Sequence, residues 1–477
     1  MVLSQQRAPL VEAIRSYLGE DICRLHMPGH KGREEMPFLS AMADLTEVHG
    51  LDDLHRPEGA IKEAQELAAA AFGARETFFL VNGASAGIIA AFLALAKPGD
   101  KVILPRHVHK SVFNALVLSG AFPVYVSPAY HPVLNIPVGV SLEAWEEAWK
   151  THPDSKLMFL VHPTYEGITS VDGDLIKKAK ERGLKIIVDE AHGGHFPFHP
   201  SLPPSALALG ADVVIHGSHK TTGSLTQSGM LHLGTSLQPE LFQAALSLVQ
   251  STSPSYLLMA SLDSARRKMV LEGEQKLAET LKLTGKVRDE IKAVKGICLW
   301  HEELYTYSEV KGLDPTKIII DGLELGLTGY QLAGILRESH GVQVEVASNT
   351  HLLALFSFAD GWEQGDKLVQ SLVAISKSCG NRKPLPIAPA GLGLPSPQVV
   401  VSPRHSWFAP KKTVPLEKAA GAVCGQLLVP YPPGIPLLCP GELITNQLVD
   451  LLLSLRGFDL QWQGLHEPGL KTIQVLA

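Results

Sequence analysis

The feature that most constrains this chain is an alternation of short apolar runs with helix-like stretches of about a dozen residues. Between residues 61 and 220 the pattern is regular. IKEAQELAAAAF (61–72) predicts a helix, and TFFLVNG (77–83) a strand ending in a Gly turn. SAGIIAAFLALA (85–96) is an apolar helix, KVILP (101–105) a strand, HKSVFNALVLSG (109–120) a helix and FPVYVSP (122–128) a strand. LEAWEEAWK (142–150) and DLIKKAKERG (174–183) read as helices. KLMFLVHP (156–163), LKIIVDEAH (184–192) and ADVVIHGSHK (211–220) begin as strands. Strands and helices in this order imply an α/β domain with a mostly parallel sheet. Runs such as FFLV, VIL and IIV fit strands covered on both faces.

The texture changes after about residue 255. Residues 255–294 read as long helices, and a second alternating region occupies 296–380. Residues 381–404 are rich in Pro, Gly and Ser and predict a linker. A short amphipathic helix is expected at 9–18. With 477 residues the chain exceeds one ordinary core. The expected division is an N-terminal arm (1–58), a large α/β domain (59–290), a smaller α/β domain (291–385) and a C-terminal unit (386–477).

Composition limits the partners. Hydrophobic residues make up 45% and charged residues 19%, within the globular range. The net charge is −6 without a long basic run, which speaks against nucleic acid or an anionic membrane. Five scattered cysteines lack any C-x-x-C pair, so a reducing compartment is expected. The N-terminus shows no apolar signal core and no stretch reads as a membrane span. The expectation is a cytoplasmic protein.

In an open α/β sheet, ligands bind beyond the carboxyl ends of the strands. Here those ends carry Asn82 to Ser85, His107 to His109, His162 to Tyr165, Asp189 to His192 and Gly217 to Lys220. Together they suit pyridoxal phosphate (PLP). A lysine amine forms a Schiff base with the cofactor aldehyde, and Lys220 sits in a turn at a strand end. A carboxylate must pair with the pyridinium nitrogen, and Asp189 ends LKIIVD. A phosphate needs helix N-terminal N–H groups and hydroxyls, which Ser85 and Ala86 provide, with Ser218 and His219 opposite. His109 would fit over the ring.

Each piece alone has a plainer reading. SHK is a surface turn, DEAH a helix start, and Gly-Ala-Ser-Ala-Gly a strand–helix connection. Their occurrence in order along one alternating region favours the joint site. DEAH as an NTPase box would need a phosphate loop G-x-x-x-x-G-K-[ST], which the sequence lacks. Glu190, His192 and His195 could ligate zinc, but they lie in a Gly-rich stretch without helical spacing, so no metal is expected. A non-catalytic binding module is disfavoured by so many polar groups at one sheet edge.

At these residues the chain resembles the bacterial ornithine/lysine/arginine decarboxylase family, of the aspartate-aminotransferase-like fold (fold type I). The matching segments are HMPGHKG (26–32), 50–69, PTYEGI (163–168), VDEAHGGH (188–195), SHKTTGSLTQSGMLH (218–232), TSPSYLLMASLDSAR (252–266) and PYPPGIPLLCPGELIT (430–445). The resemblance implies that Lys220 is the Schiff-base lysine, Asp189 the pyridinium partner and His109 the stacking histidine. It implies phosphate ligands at Ser85 and His219 and the Ala86 backbone, with His192 beside the ring. Thr252 and Ser253 match a segment that reaches the phosphate of a neighbouring subunit, which implies a homodimer or larger assembly with shared sites. Residues 59–290 are then the PLP-binding domain and 386–477 the C-terminal decarboxylase domain.

Two departures stand out. Gly217 replaces a serine of many relatives, and the chain lacks the N-terminal regulatory domain of the long, acid-inducible forms. It looks like the short, biosynthetic type. The expected activity is α-decarboxylation of a basic amino acid, feeding polyamine synthesis, with arginine slightly favoured over lysine and ornithine. His109 or Lys220 is expected to protonate Cα. Asp53 and Glu442 are candidates for the distal cation. An aminotransferase or aldolase is the alternative.

Overall fold

The computed structural model describes residues 21, 23–25, 52–234, 237–379, 383–385, 397–431, 435–456, 461–465, 467 and 469–477. The helix expected at 9–18, the HMPGHKG turn, most of the linker and the middle of the YPPGIP segment lie outside the described residues.

Seven strands form the main sheet. They are β1 (Glu76–Leu80), β2 (Lys101–Pro105), β3 (Phe122–Val126), β4 (Leu157–Val161), β5 (Lys185–Asp189), β6 (Val213–His216) and β7 (Gly229–Leu233). Their order is β1-β7-β6-β5-β4-β2-β3. Neighbours from β6 to β3 pair in parallel, while β7 runs antiparallel to both β1 and β6. The carboxyl ends of β1 to β6 therefore share one edge, and the start of β7 joins them. The mostly parallel α/β sheet is as expected, and β7 is an addition. Its GMLHL sequence is buried throughout, yet it lies in a polar segment that masks it.

Strand side chains alternate between two cores, which explains the continuous apolar runs. On β4, Met158 and Leu160 enter one cluster with Ile186, Val188 and Val214. Leu157 and Phe159 enter the other with Ile187, Val213 and Ile215. The crossover helices carry ordinary end signals. Asp172 caps Gly173–Glu181 by accepting from Leu175 N at 2.8 Å, and Lys178 and Lys180 lie in its last turn.

One helix, Tyr256–Lys292, runs for 37 residues where the sequence predicted several. Ser255 is its N-cap and accepts from Leu258 N. Its start packs Met259 and Leu262 on the large sheet, its middle packs Met269 and Leu277 with Phe196 and Phe358, and its end packs Leu283, Val287 and Ile291 on the small unit. That unit holds a four-stranded sheet including Lys317–Asp321, Val346–Ala347 and Leu352–Leu355. Helices Gly329–His340 and Trp362–Cys379 complete its core.

The C-terminal residues build a further core around Leu416, Leu428, Leu438, Leu452 and Ile473. Helix Pro403–Phe408 begins inside the expected linker, because Ser402 caps it by accepting from His405 N at 3.3 Å. This unit meets the large sheet through an ion pair. Arg106, just past β2, reaches Glu442 at 3.2 Å and Leu437 O at 3.2 Å. Both side chains are 2% exposed.

Candidate active site

Lys220 stands in a four-residue helical turn, Ser218–Thr221, directly after β6 and Gly217. A Cβ added at Gly217 would lie 3.0 Å from Ala191 O and 3.2 Å from Lys220 Cδ. Glycine there leaves room for the lysine chain, which gives the departure at this position a local reason. Lys220 Nζ lies 2.9 Å from His192 Nε2. Burial lowers the Lys220 amine below the usual lysine range, with Asp189 and Glu345 opposing the shift.

Asp189 ends β5 beside this turn and is buried. Ala191 N donates to its Oδ1 at 3.0 Å. Burial raises the carboxyl, while Lys220 and the Ala191 N–H pull it down. The next residue, Glu190, is tied inward. Its carboxylate accepts from Ala206 N at 3.1 and 3.2 Å and meets His216 Nε2 at 3.2 Å. His216 Nδ1 meets His232 Nε2 at 3.0 Å, and His232 Nδ1 meets Thr77 Oγ1 at 2.8 Å. This buried chain crosses from β6 through β7 to β1 and stiffens the edge that presents Asp189 and Lys220.

His192 follows in the same loop. Its Nδ1 lies 3.3 Å from Lys317 Nζ, and its ring lies 4.7 Å from that of Tyr165. Burial, then the Lys220 and Lys317 charges, hold His192 well below its ordinary value, so it is neutral. His195 Nε2 meets Asp314 at 3.3 Å. Burial works against the Asp314 carboxylate, yet His195, Lys317 and Thr316 bring it down to about 2. Glu190, His192 and His195 thus face three different partners rather than one point.

The loop after β1 opens helix Gly83–Leu95 at Asn82, whose side chain makes no capping bond. The first N–H groups of this helix are therefore available to an anion. Gln227 Nε2 donates to Val81 O at 2.7 Å, and Val81 N donates to Gln250 Oε1 at 2.7 Å. These two glutamines fix the loop. Ser85 is exposed at the helix start and Ala86 is buried. Ser218 Oγ is buried without a hydrogen-bond partner, and His219 Nδ1 meets Ser228 O at 3.0 Å. An orphaned hydroxyl near an uncapped helix start fits a phosphate. Lys220 and Asp189 fit an aldehyde and a ring nitrogen, so the residues present suit PLP.

His109 caps helix Lys110–Ser119, its Nδ1 accepting from Ser111 N at 3.2 Å. Burial, then Lys220 and Lys110, lower it to about 4. Thr252 and Ser253 are exposed, and since Ser255 is the helix cap, neither is needed there. Ser251 N donates to Asn82 Oδ1 at 3.2 Å, which sets this segment beside the loop that opens with Gly83. Of the two candidates for the distal cation, Glu442 is engaged by Arg106, whereas Asp53 makes a local bond, its Oδ1 accepting from His55 N at 2.8 Å. The sequence reading missed Lys317 and Glu345, and it placed Tyr165 at a strand end without giving it a role. The available signal was a lysine opening the apolar strand KIIID. Tyr165 Oη donates to Glu345.

A family model described as "Orn/Lys/Arg decarboxylase, major domain" matches residues 8–364, and one described as "Orn/Lys/Arg decarboxylase, C-terminal domain" matches 397–472. Arginine decarboxylase of Bacillus subtilis is 37% identical, covering 99% of this chain and 99% of its own length. Arginine decarboxylase of Halalkalibacterium halodurans is 37% identical, covering 99% and 98%. Among solved structures, the constitutive lysine decarboxylase of E. coli superposes with a TM-score of 0.77 at 20% identity, covering 99% of this chain and 82% of that one.

Proposed function

The chain belongs to the Orn/Lys/Arg decarboxylase family of PLP-dependent, fold type I enzymes acting on basic amino acids, and we propose that its own substrate is arginine. The observation that carries this reading is the end-to-end match to relatives named for arginine. Two carboxylates suit a guanidinium. Glu345 exerts its charge on Lys220 and Lys317, and the buried Glu166 on Lys317. Glu166 also lines a cavity of about 250 Å³ with Tyr130, Val346, Ser348 and Leu437.

Bound PLP supplies an electron sink for the pair released when the Cα–carboxylate bond breaks. The chain's own residues then have distinct tasks. Lys220 Nζ is the covalent anchor. Asp189 holds a proton at the ring nitrogen, and the Ala191 N–H keeps its carboxylate aimed. His109 and His192 would hold the ring, and Ser85, the Ala86 N–H, Ser218 and His219 would hold the phosphate. His109, held neutral at pH 7 by burial, is a far weaker acid than an imidazolium, which favours Lys220 Nζ as the donor to Cα.

The reading extends to a homodimer with shared sites. Thr252 and Ser253 are exposed, and they follow helix Pro239–Val249, which shows Leu241 at 46% and Leu248 at 77% exposure. Spaced seven apart, these two leucines share one helix face, which supports a docking surface there. Mixing Lys220→Ala chains with Thr252→Ala/Ser253→Ala chains is expected to restore activity above either variant. Hybrids without regained activity would assign the segment to its own subunit. A cytoplasmic location is supported by five free cysteines, four of them buried.

The deciding experiment measures CO2 and amine released from arginine, lysine and ornithine by the purified enzyme. Arginine should have the largest kcat/KM. A tenfold preference for either of the others would overturn the substrate assignment.

A further inference from the structure

Lys317 opens a strand of the small unit and is 3% exposed. No assigned role in the reaction accounts for it. Its Nζ has three acceptors, Tyr165 O at 2.5 Å, Thr164 O at 3.4 Å and His192 Nδ1 at 3.3 Å. An ammonium has three protons to donate and no lone pair, so this tripod matches the charged form. The opposite ring nitrogen of His192 touches Lys220 Nζ at 2.9 Å. One imidazole thus connects two lysines from different units.

The hydrogen-bond directions follow from the tripod. If Lys317 donates to Nδ1, His192 carries its own proton on Nε2. Nε2–H then needs an acceptor, and Lys220 accepts only as a neutral amine. Only a neutral amine is nucleophilic.

We propose that His192 and Lys317 are positioning residues that form a proton relay, keeping the Lys220 amine neutral and storing its proton on Lys317 Nζ. This rests on Lys220 being the cofactor's anchor. In the forward direction a proton leaves Lys220 Nζ for His192 Nε2 while the Nδ1 proton passes to Lys317 Nζ. Only N–H bonds form and break, the imidazole changes tautomer, and no electrons are transferred. In reverse, the proton returns to Lys220.

The assignment of the stored proton to Lys317 rests on its three acceptors, and the charges around it act in both directions. Asp314 lies on its own segment, Glu166 after β4 and Glu345 after Val342–Val344, and all three favour a cation there. Lys220 opposes it. Burial is the largest influence and lowers Lys317 to about 8, which leaves it charged at neutral pH and able to give up a proton. Lys220 has Asp189 and Glu345 as its favourable charges.

The test labels the PLP-free protein with acetic anhydride, which reacts only with neutral amines, and reads Lys220 and Lys317 by peptide mass spectrometry across pH. In the wild type, Lys220 should become reactive at lower pH than Lys317. The reverse order overturns the relay without needing any variant. In Lys317→Met, loss of the neighbouring positive charge should raise the Lys220 midpoint by about one unit, roughly tenfold less labelling at pH 7. Lys317→Arg keeps the positive charge but cannot take up or return a proton, so it should restore the midpoint but not the rate at which PLP is fixed to Lys220. An unshifted midpoint in a folded Lys317→Met protein would also overturn the relay. Borohydride reduction of the holoenzyme separates the two readings. PLP fixed elsewhere than Lys220 defeats the anchor assignment, whereas PLP on Lys220 with an unshifted midpoint defeats only the relay.

Discussion

Two places at the same sheet edge bury charge in opposite ways. Past β2, Arg106 meets Glu442 one to one, and both are sealed from water. Past β6, Lys220 shares the neutral His192 with a second lysine. In the first place burial is the largest single influence, yet Glu442 together with Cys439, Tyr125 and Tyr130 outweighs it, and the guanidinium keeps its proton. In the second, burial lowers both amines. Matched buried charge locks a seam between two units. Like charges around one imidazole leave amines whose protons can move, the property expected of a reactive centre.

The sharpest break in this comparison is Lys220→Ala. It should abolish borohydride-stable PLP attachment and decarboxylation together, while the far-ultraviolet circular dichroism stays unchanged. Glu442→Ala comes next and should act on the other side. Leaving Arg106 unpaired should cost about 3–5 kcal/mol of stability, read by denaturant titration. Replacing both partners with apolar residues of similar volume should recover most of that. A Glu442→Ala protein as stable as wild type would remove the seam from the comparison.

Asp189→Asn should keep its fold and lose kcat. Loss of a preorganised charge partner costs about 2.7–4 kcal/mol, or 10²–10³ in rate. A fall under tenfold would mean that Asp189 is not the pyridinium partner. A further effect concerns pH. Burial holds His107 and His351 at about 4, below the ordinary 6.5. Between those values the unfolded chain binds protons that the folded chain refuses. Their contribution to stability is therefore complete above pH 6.5 and declines toward pH 4, with a slope of about 1.4 kcal/mol per unit for each. Melting the PLP-free protein from pH 7.5 to 4.5 should show the decline. Both His107 ring nitrogens lack a partner, so His107→Leu should flatten it. An unchanged slope would remove His107 as a cause.

The comparison also explains what the sequence made legible. Asp189, Lys220, Ser85 and His109 follow strands buried on both faces, and such strands announce themselves as apolar runs with polar residues at their ends. Lys317 lies 97 positions beyond Lys220 along the chain, at the start of a strand in another unit. Only tertiary packing brings it to His192. Glu345 reaches the site across the same junction, where it meets Tyr165 of the large domain. Glu442 misled the reading for the converse reason, since its partner Arg106 is 336 residues away. Strand β7 escaped notice because an antiparallel strand entering a parallel sheet leaves no helix crossover in the sequence.

The Tyr256–Lys292 helix spans roughly 55 Å at 1.5 Å per residue. Met259 near one end and Ile291 near the other serve separate cores. Each added residue turns a helix by about 100°. A single insertion near Gly273 would swing the Leu283–Val287–Ile291 stripe away from the small unit while Met259 and Leu262 stayed seated. Lys317 belongs to that unit, so the helix acts as a shaft whose phase sets where the second lysine arrives. Length changes in this gene segment should survive only where they restore whole turns.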